Sequence, residues 1–418
     1  MGLVKLVLEN GLRIIYLQIP GAHSASVGAW VAAGSRHETR NEQGISHFIE
    51  HMLFKGTTNR TSREISEQMD FLGGELNAYT SKEYTRYYAH TLSENAVKAM
   101  DIICDMIQNP LLDKEELERE RLVILDEMAM YQDSGEEVAF EKLCAAVWPG
   151  SSLGQPIIGV PETVSSFTAG DLKNYIDTHY TPDRMVVVAA GSFDRDGMDK
   201  LLERTLGKMK PGNKNLVFEN PVFHPSIALT EKQLEQTSLS IAVPGLPKGD
   251  LRKYAMMVLN FIIGGGASSR LYRRLREELG LAYSVYSSHS SSTGAGLFTV
   301  FASFSSERQE QVLTEISKLL QNVAKGVTAE EFERARAQIK ASNIIALETV
   351  AAKASFAGQN ELFEGRQITS REVLENLNKL TLDDVNELSA EIFGGGRRAL
   401  SVAGSIMERS FYQPFVFG

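Results

Sequence analysis

The sequence predicts an α+β protein built from a duplicated unit. Three observations carry this. Strand-like alternating stretches open each half, amphipathic helices follow them, and a Pro-, Gly- and Asn-containing break at 208–224 separates the two runs. The boundaries that follow are 1–213 for the first domain, 214–224 for a linker and 225–418 for the second. At 418 residues the chain is about three times a typical domain length, and its 43% apolar content is enough for real cores.

The elements follow in order. "LVKLVL", "LRIIYLQI" and "SASVGAWVAAG" alternate, are rich in β-branched residues, and are separated by Asn-Gly and Pro-Gly turns, which predicts strands and an opening hairpin at Asn10-Gly11. Helical spacing then predicts helices over Glu42 to Phe54, Ser62 to Leu72 (capped by Thr61 or Ser62) and Glu94 to Ile107. Between the last two, "GGELNAYTSKEYTRYYAHTL" returns to a two-residue period rich in Thr and Tyr, so strands are expected. Asp113, with Glu116 three residues on, signals the start of a long helix reaching about Gln132. "YTPDRMVVVAAGSF" reads as a buried strand. The second half repeats the order with strand "QTSLSIAVPG", helix "YAMMVLNFII", a Gly-rich break, basic helix "SRLYRRLREELG" and strands "AYSVYSSHSSSTGAGLFTVFASF".

Several function classes are disfavoured at this level. A net charge of −10 with no basic run interleaved with aromatics argues against nucleic acid as a partner. Cys104 and Cys144 are the only cysteines and form no CxxC, so neither a disulfide framework nor a thiolate metal site is expected. The N-terminus turns at Asn10-Gly11 instead of offering a charged and then apolar leader, and no apolar run is long enough to span a bilayer. A soluble, cytoplasmic protein with no membrane partner is expected. "GGGASSR" lacks the Lys and spacing of a phosphate-binding Walker loop.

The stretch "GISHFIEHMLFKGT" carries the chemistry. On a helix, His47 and His51 lie one turn apart on one face, with Glu50 beside them. Two neutral imidazoles suit zinc, a catalytic site needs a third protein ligand and an open position, and the order HxxEH is the inverted-zincin motif. The bland reading is a helix edge with two hydrogen-bonded histidines. His37, His90, His179, His224 and His289 show no ligand-like spacing among themselves.

The long helix offers the missing ligand. At about 100° per residue, Glu120 and Glu127 fall inside the apolar arc of Leu117, Ile124, Met128 and Tyr131. Buried carboxylates call either for a cation or for an Arg or Lys on another element, and the wheel alone leaves both open.

Together these residues resemble the pitrilysin family of inverted-zinc metallopeptidases, in particular its mitochondrial-processing-peptidase-like bacterial branch. In that family the third ligand is a glutamate about 75 residues past the second histidine, with another glutamate seven residues before it. Glu127 lies 76 residues past His51 and seven past Glu120. "LENGLRIIYLQIPGAHSASVGAWVAAGSRHE", "GGELNAYTSKEYTRYY", "SLGQPIIGVPETV" and "YIDTHYTPDRMVVVAAGSF" also look like family landmarks.

The resemblance implies two related α/β-sandwich domains per chain, forming half of a clamshell chamber, and one zinc ion per chain held by His47, His51 and Glu127. It implies peptide hydrolysis with Glu50 as the base for a metal-activated water, and Glu120 orienting a histidine or adding charge. Gly73, Gly74, Asn77, Ala78 and Tyr79 would form a strand that pairs with an extended peptide; read alone, Gly73-Gly74 is as well explained by a hairpin turn. Arg276 and Tyr283 resemble the family pair that grips substrate carbonyls; read alone, they are a surface Arg in a basic helix and a strand tyrosine. The family's architecture further implies a homodimer acting on peptides. The competing reading is a non-catalytic peptide-binding or assembly subunit of the same fold.

Overall fold

The computed structural model describes residues 2–212 and 220–417; the expected linker at 214–224 lies partly outside them. Two sheets organise the chain. The first contains β1 (Gly2–Val7), β2 (Arg13–Gln18), β3 (Ser24–Val31), β4 (Glu75–Thr80), β5 (Thr85–Leu92) and β6 (Met185–Gly191) in the order β1-β2-β6-β3-β5-β4. The second contains β7 (Ile227–Glu231), β8 (Thr237–Pro244), β9 (Ala282–Ser292), β10 (Ala295–Phe304) and β11 (Ala399–Gly404) in the order β7-β11-β8-β10-β9. Without β1, the two orders are the same permutation. The pairings agree as well: β2 with β6 and β7 with β11 are parallel, and every other neighbour is antiparallel. The duplication is therefore real at the level of topology.

The helices used below are α1 (Ile45–Leu53), α2 (Ser62–Phe71), α3 (Ala96–Gln108), α4 (Lys114–Asp133) and α5 (Gly135–Val147). In the first sheet, β3 and β6 are buried along nearly their whole length because helices cover both faces. On one face Val27, Ala29, Val31, Val187 and Ala189 share a core with Phe48, Ile49, Met52 and Leu53 of α1 and with α3. On the other, Ile15, Leu17, Trp30, Val186 and Val188 meet Ala354 and Ala357 of the helix Val350–Glu364. Each such fully buried aliphatic side chain contributes about 1.5–3 kcal/mol. Gly358 allows that helix to lie directly on Trp30, since a Cβ there would sit 2.6 Å from the indole ring.

That helix belongs to a later part of the sequence, and α5 is its counterpart. Leu143, Cys144 and Val147 of α5 pack on Ala242, Leu297 and Ala399 of the second sheet. The compact units are accordingly discontinuous: 1–128, 156–217 and 345–369 form the first, and 129–155, 218–344 and 370–418 the second. A single cut near 214–224 does not reproduce this division, because each half of the sequence lends a helix to the sheet of the other.

Other departures are local. The helix expected from Glu42 starts at Ile45, because Gly44 holds φ at +92°, a conformation that breaks a right-handed helix; Arg40–Glu42 form a separate short turn. The expected basic helix forms, but over Tyr272–Glu278 it is a wider π-helix, with the Leu279 N–H bonded to the carbonyl of Arg274 five residues back. Thr61 is the cap of α2, with Glu64 returning the bond in a capping box. No helix among the described residues is long and apolar enough to cross a membrane.

Candidate metal centre

α1 is seated by one face and functional on the other. Ile45, Phe48, Ile49, Met52 and Leu53 are buried, while His47, Glu50 and His51 are only partly so. Its first turn is fixed from a distance. Gly44 has no side chain to cap the helix, and Glu38 reaches in so that its two carboxylate oxygens accept from the N–H groups of Gly44 (2.8 Å) and Ser46 (2.9 Å). Burial pushes the Glu38 carboxyl up to about 7 against these two bonds.

α4 brings its acidic residues to this face. Asp113 starts it by accepting from the N–H groups of Glu115 and Glu116. Leu117, Ile124 and Met128 are buried as expected from the wheel, and Glu120 is buried with them, but Tyr131 near the helix end is 38% exposed.

His47, His51 and Glu127 converge, their candidate ligand atoms all lying within 4.8 Å of one another. Glu127 Oε2 is 3.8 Å from His47 Nε2 and 3.7 Å from His51 Nε2. These spacings are too long for hydrogen bonds, and they approach the roughly 3.4 Å expected between ligands placed tetrahedrally at zinc distances. Burial and the neighbouring His51 push the His47 imidazole down to about 3, so it is neutral, the form in which imidazole binds a metal. The residues present therefore fit a zinc ion.

The surroundings orient this set. Glu120 Oε2 lies 3.0 Å from His51 Nδ1, and its other oxygen lies 2.6 Å from Lys55 Nζ. Burial alone would raise the Glu120 carboxyl; the bonds from His51 and Lys55 outweigh it and hold the group below its ordinary value. An ionised carboxylate can only accept, so the proton of His51 sits on Nδ1 and the lone pair of Nε2 faces Glu127. The two answers left open for the acidic pair thus divide between its members: Lys55 neutralises Glu120, and Glu127 faces the histidines. Glu50 accepts from the hydroxyl of Thr80, the last residue of β4, and burial raises its carboxyl despite that bond.

β4 is one of the two edge strands of the first sheet, β1 being the other. Asn77 and Tyr79 on it are exposed, Ala78 is half-buried, and the Ala78 N–H donates to Asn77 Oδ1 at 2.8 Å. Gly73 and Gly74 do not join the strand, which begins at Glu75. They form the turn after α2: Gly73 has φ +61°, and a Cβ on Gly74 would meet the His90 carbonyl and the Met69 sulfur at 2.9 Å. Arg276 and Tyr283 belong to the second unit, whereas the metal centre lies wholly in the first. The two pair with each other, the Arg276 guanidinium standing 5.8 Å from the Tyr283 ring centre and 5.1 Å from that of Tyr272. Glu38, Lys55 and Thr80 were missed in the sequence. Lys55 alone left a signal, standing one helical turn after His51.

A duplicated α+β scaffold carrying HxxEH on one helix, with a glutamate of another facing the two histidines, has the fold of the inverted-zincin metallopeptidases. The chain belongs to peptidase family M16, the pitrilysin-like family: residues 13–160 match the profile described as Insulinase (Peptidase family M16), and residues 166–339 match Peptidase M16 inactive domain. It is 39% identical to the uncharacterized zinc protease YmxG of Bacillus subtilis over 92% of this chain and 94% of that one. It is 38% identical to an uncharacterized zinc protease of Rickettsia felis over the same shares. Among solved structures, a protease from Helicobacter pylori superposes with a TM-score of 0.88 at 20% identity, covering 97% of this chain and 99% of that one. A Pseudomonas fluorescens structure described as a peptidase M16 inactive domain gives 0.90 at 19%, covering 97% and 98%.

Proposed function

We propose that the protein is a zinc-dependent endopeptidase that cleaves peptides or unfolded segments, one zinc ion per chain being held by His47, His51 and Glu127. The observation that carries this is the convergence of two imidazole nitrogens and a carboxylate beside a partly buried glutamate, Glu50. Zinc bound there supplies Lewis acidity, polarising the scissile carbonyl and lowering the pKa of water. Glu50 takes the proton of the attacking water and hands it to the leaving amine; its raised pKa suits both steps. Glu120 keeps the His51 proton on Nδ1. Asn77, Ala78 and Tyr79 offer edge backbone to an extended peptide, which would make cleavage tolerant of sequence. Arg276 and Tyr283 grip substrate carbonyls, and in the cytoplasmic homodimer we propose, those of one subunit complete the metal site of the other.

The match of residues 166–339 to a domain described as inactive favours, as the second reading, a peptide-binding subunit without activity. Incubation with a mixed peptide library, read by mass spectrometry, separates the two. The native chain should produce cuts that a chelator abolishes and zinc restores, and Glu50→Gln should lose about 10²–10⁴ of the rate with metal still bound. Binding without cutting at full zinc occupancy would establish the second reading. Mixing Glu50→Gln with Arg276→Ala chains should restore partial activity; no rescue above either parent rules out shared sites.

A further inference from the structure

The second unit contains a cavity of about 580 Å³ that the peptidase chemistry does not use. It lies between the Gly-rich run "GGGASSR", the π-helix over Tyr272–Glu278, and the helices Gln309–Ala324 and Ala329–Ala346. Arg270, Arg273, Arg274, Lys318 and Arg334 line it, together with only three carboxylates, Glu278, Glu315 and Glu331. The lining is thus positive by two charges on a chain whose net charge is −10.

The ion pairs show where the surplus lies. Arg270 is engaged by both oxygens of Glu331 at 2.7 Å and forms a neutral wall. Glu315 is shared by Arg274 at 2.8 Å and Lys318 at 3.1 Å, so one carboxylate serves two cations; Arg274 also reaches Glu278 at 3.0 Å. Arg334 pairs outside the cavity lining, with Glu330 at 3.3 Å. The exposed side chain of Arg273 has no ion pair or hydrogen bond among the described residues. Ser268 and Asn322 add neutral polar groups to the same wall. Guanidinium groups around a concave surface match phosphate or carboxylate oxygens in geometry as well as charge.

We propose that this cavity is a binding site for a small multivalent anion bearing phosphate or carboxylate groups, with Arg273 and Lys318 as its principal donors. The site shares no residue with the candidate metal centre, since all its lining residues lie in the second unit. The test is calorimetric titration of the full zinc-loaded chain at constant ionic strength with glycerol phosphate and, separately, tricarballylate. Both are weak zinc chelators, so metal loss is not read as binding. Saturable binding of at least one, with Kd near or below about 1 mM, is expected, and it should weaken at least tenfold in Arg273→Ala/Lys318→Ala. Which anion binds assigns the site to phosphate or carboxylate ligands. Arg371→Ala, on a different helix, should bind as the native chain does, and the melting temperature of each variant without ligand controls for folding. Failure of both anions to saturate, or undiminished binding in the folded double variant, overturns the proposal.

Discussion

The two units share one sheet topology, but among the described residues only the first brings together a candidate set of metal ligands. Between β3 and β4 stands α1 with its HxxEH; between β8 and β9 stands the helix Lys253–Gly264, "KYAMMVLNFIIG", with no histidine and no carboxylate. The long helices make the contrast residue by residue. Setting Leu117 on Phe332 aligns "EELERERLVI" of α4 with "EEFERARAQI" of Ala329–Ala346, and Ile124 falls on Ile339. Glu120 then corresponds to the buried Ala335, and Glu127 to Ser342. Both copies keep the apolar positions Leu117/Phe332 and Ile124/Ile339, while Met128 falls on Asn343. Glu120 and Glu127 have no acidic counterpart in the second copy, so the pair is an addition to the fold and not a condition of it.

Substitutions that make the first unit like the second test this comparison. Changing Glu127→Ser gives α4 the residue found at 342 and should abolish zinc binding, measured by competition with a chromogenic chelator, while the melting temperature of the metal-free protein changes little. A large loss of metal-free stability would show that Glu127 also supports the fold. Glu120→Ala, copying Ala335, should weaken zinc by about 10–100-fold through the misoriented His51; undiminished affinity would remove Glu120 from the site.

The helix starts differ too. Asp250 forms a local turn ahead of the helix Lys253–Gly264, accepting from the Arg252 N–H at 2.8 Å, and that helix has no side-chain cap, whereas Glu38 is buried and serves two N–H groups from a distance. Glu38→Ala should cost about 2 kcal/mol in urea denaturation, and Asp250→Ala about 0.5 kcal/mol. Equal losses would mean that the remote cap has no special weight.

A pH dependence is expected in the second unit as well. The Arg270 guanidinium and the bonds from Thr328 hold the Glu331 carboxyl down at about 2. A depressed folded pKa gives stability that is present above the ordinary value near 4.5 and is lost as pH falls toward 2. Glu331→Gln should flatten the acid limb of a melting-temperature profile in that window and leave the neutral region parallel to the native curve.

The sequence determined the period of the strands read in it and most of the apolar face of α1 and α4, because those depend on neighbours within a few residues. It also pointed to the residues that converge: His47 and His51 are one turn apart on one helix, and the spacing of Glu120 and Glu127 puts them on one face of another. Tertiary structure decided what depends on distant partners. Which acidic residue Lys55 would neutralise, that Glu38 would cap α1 and that Thr80 would hold Glu50 are consequences of elements meeting in space. The same holds for the exchange of α5 and Val350–Glu364 between sheets. An amphipathic helix specifies that it must bury its apolar stripe, not which sheet will cover it.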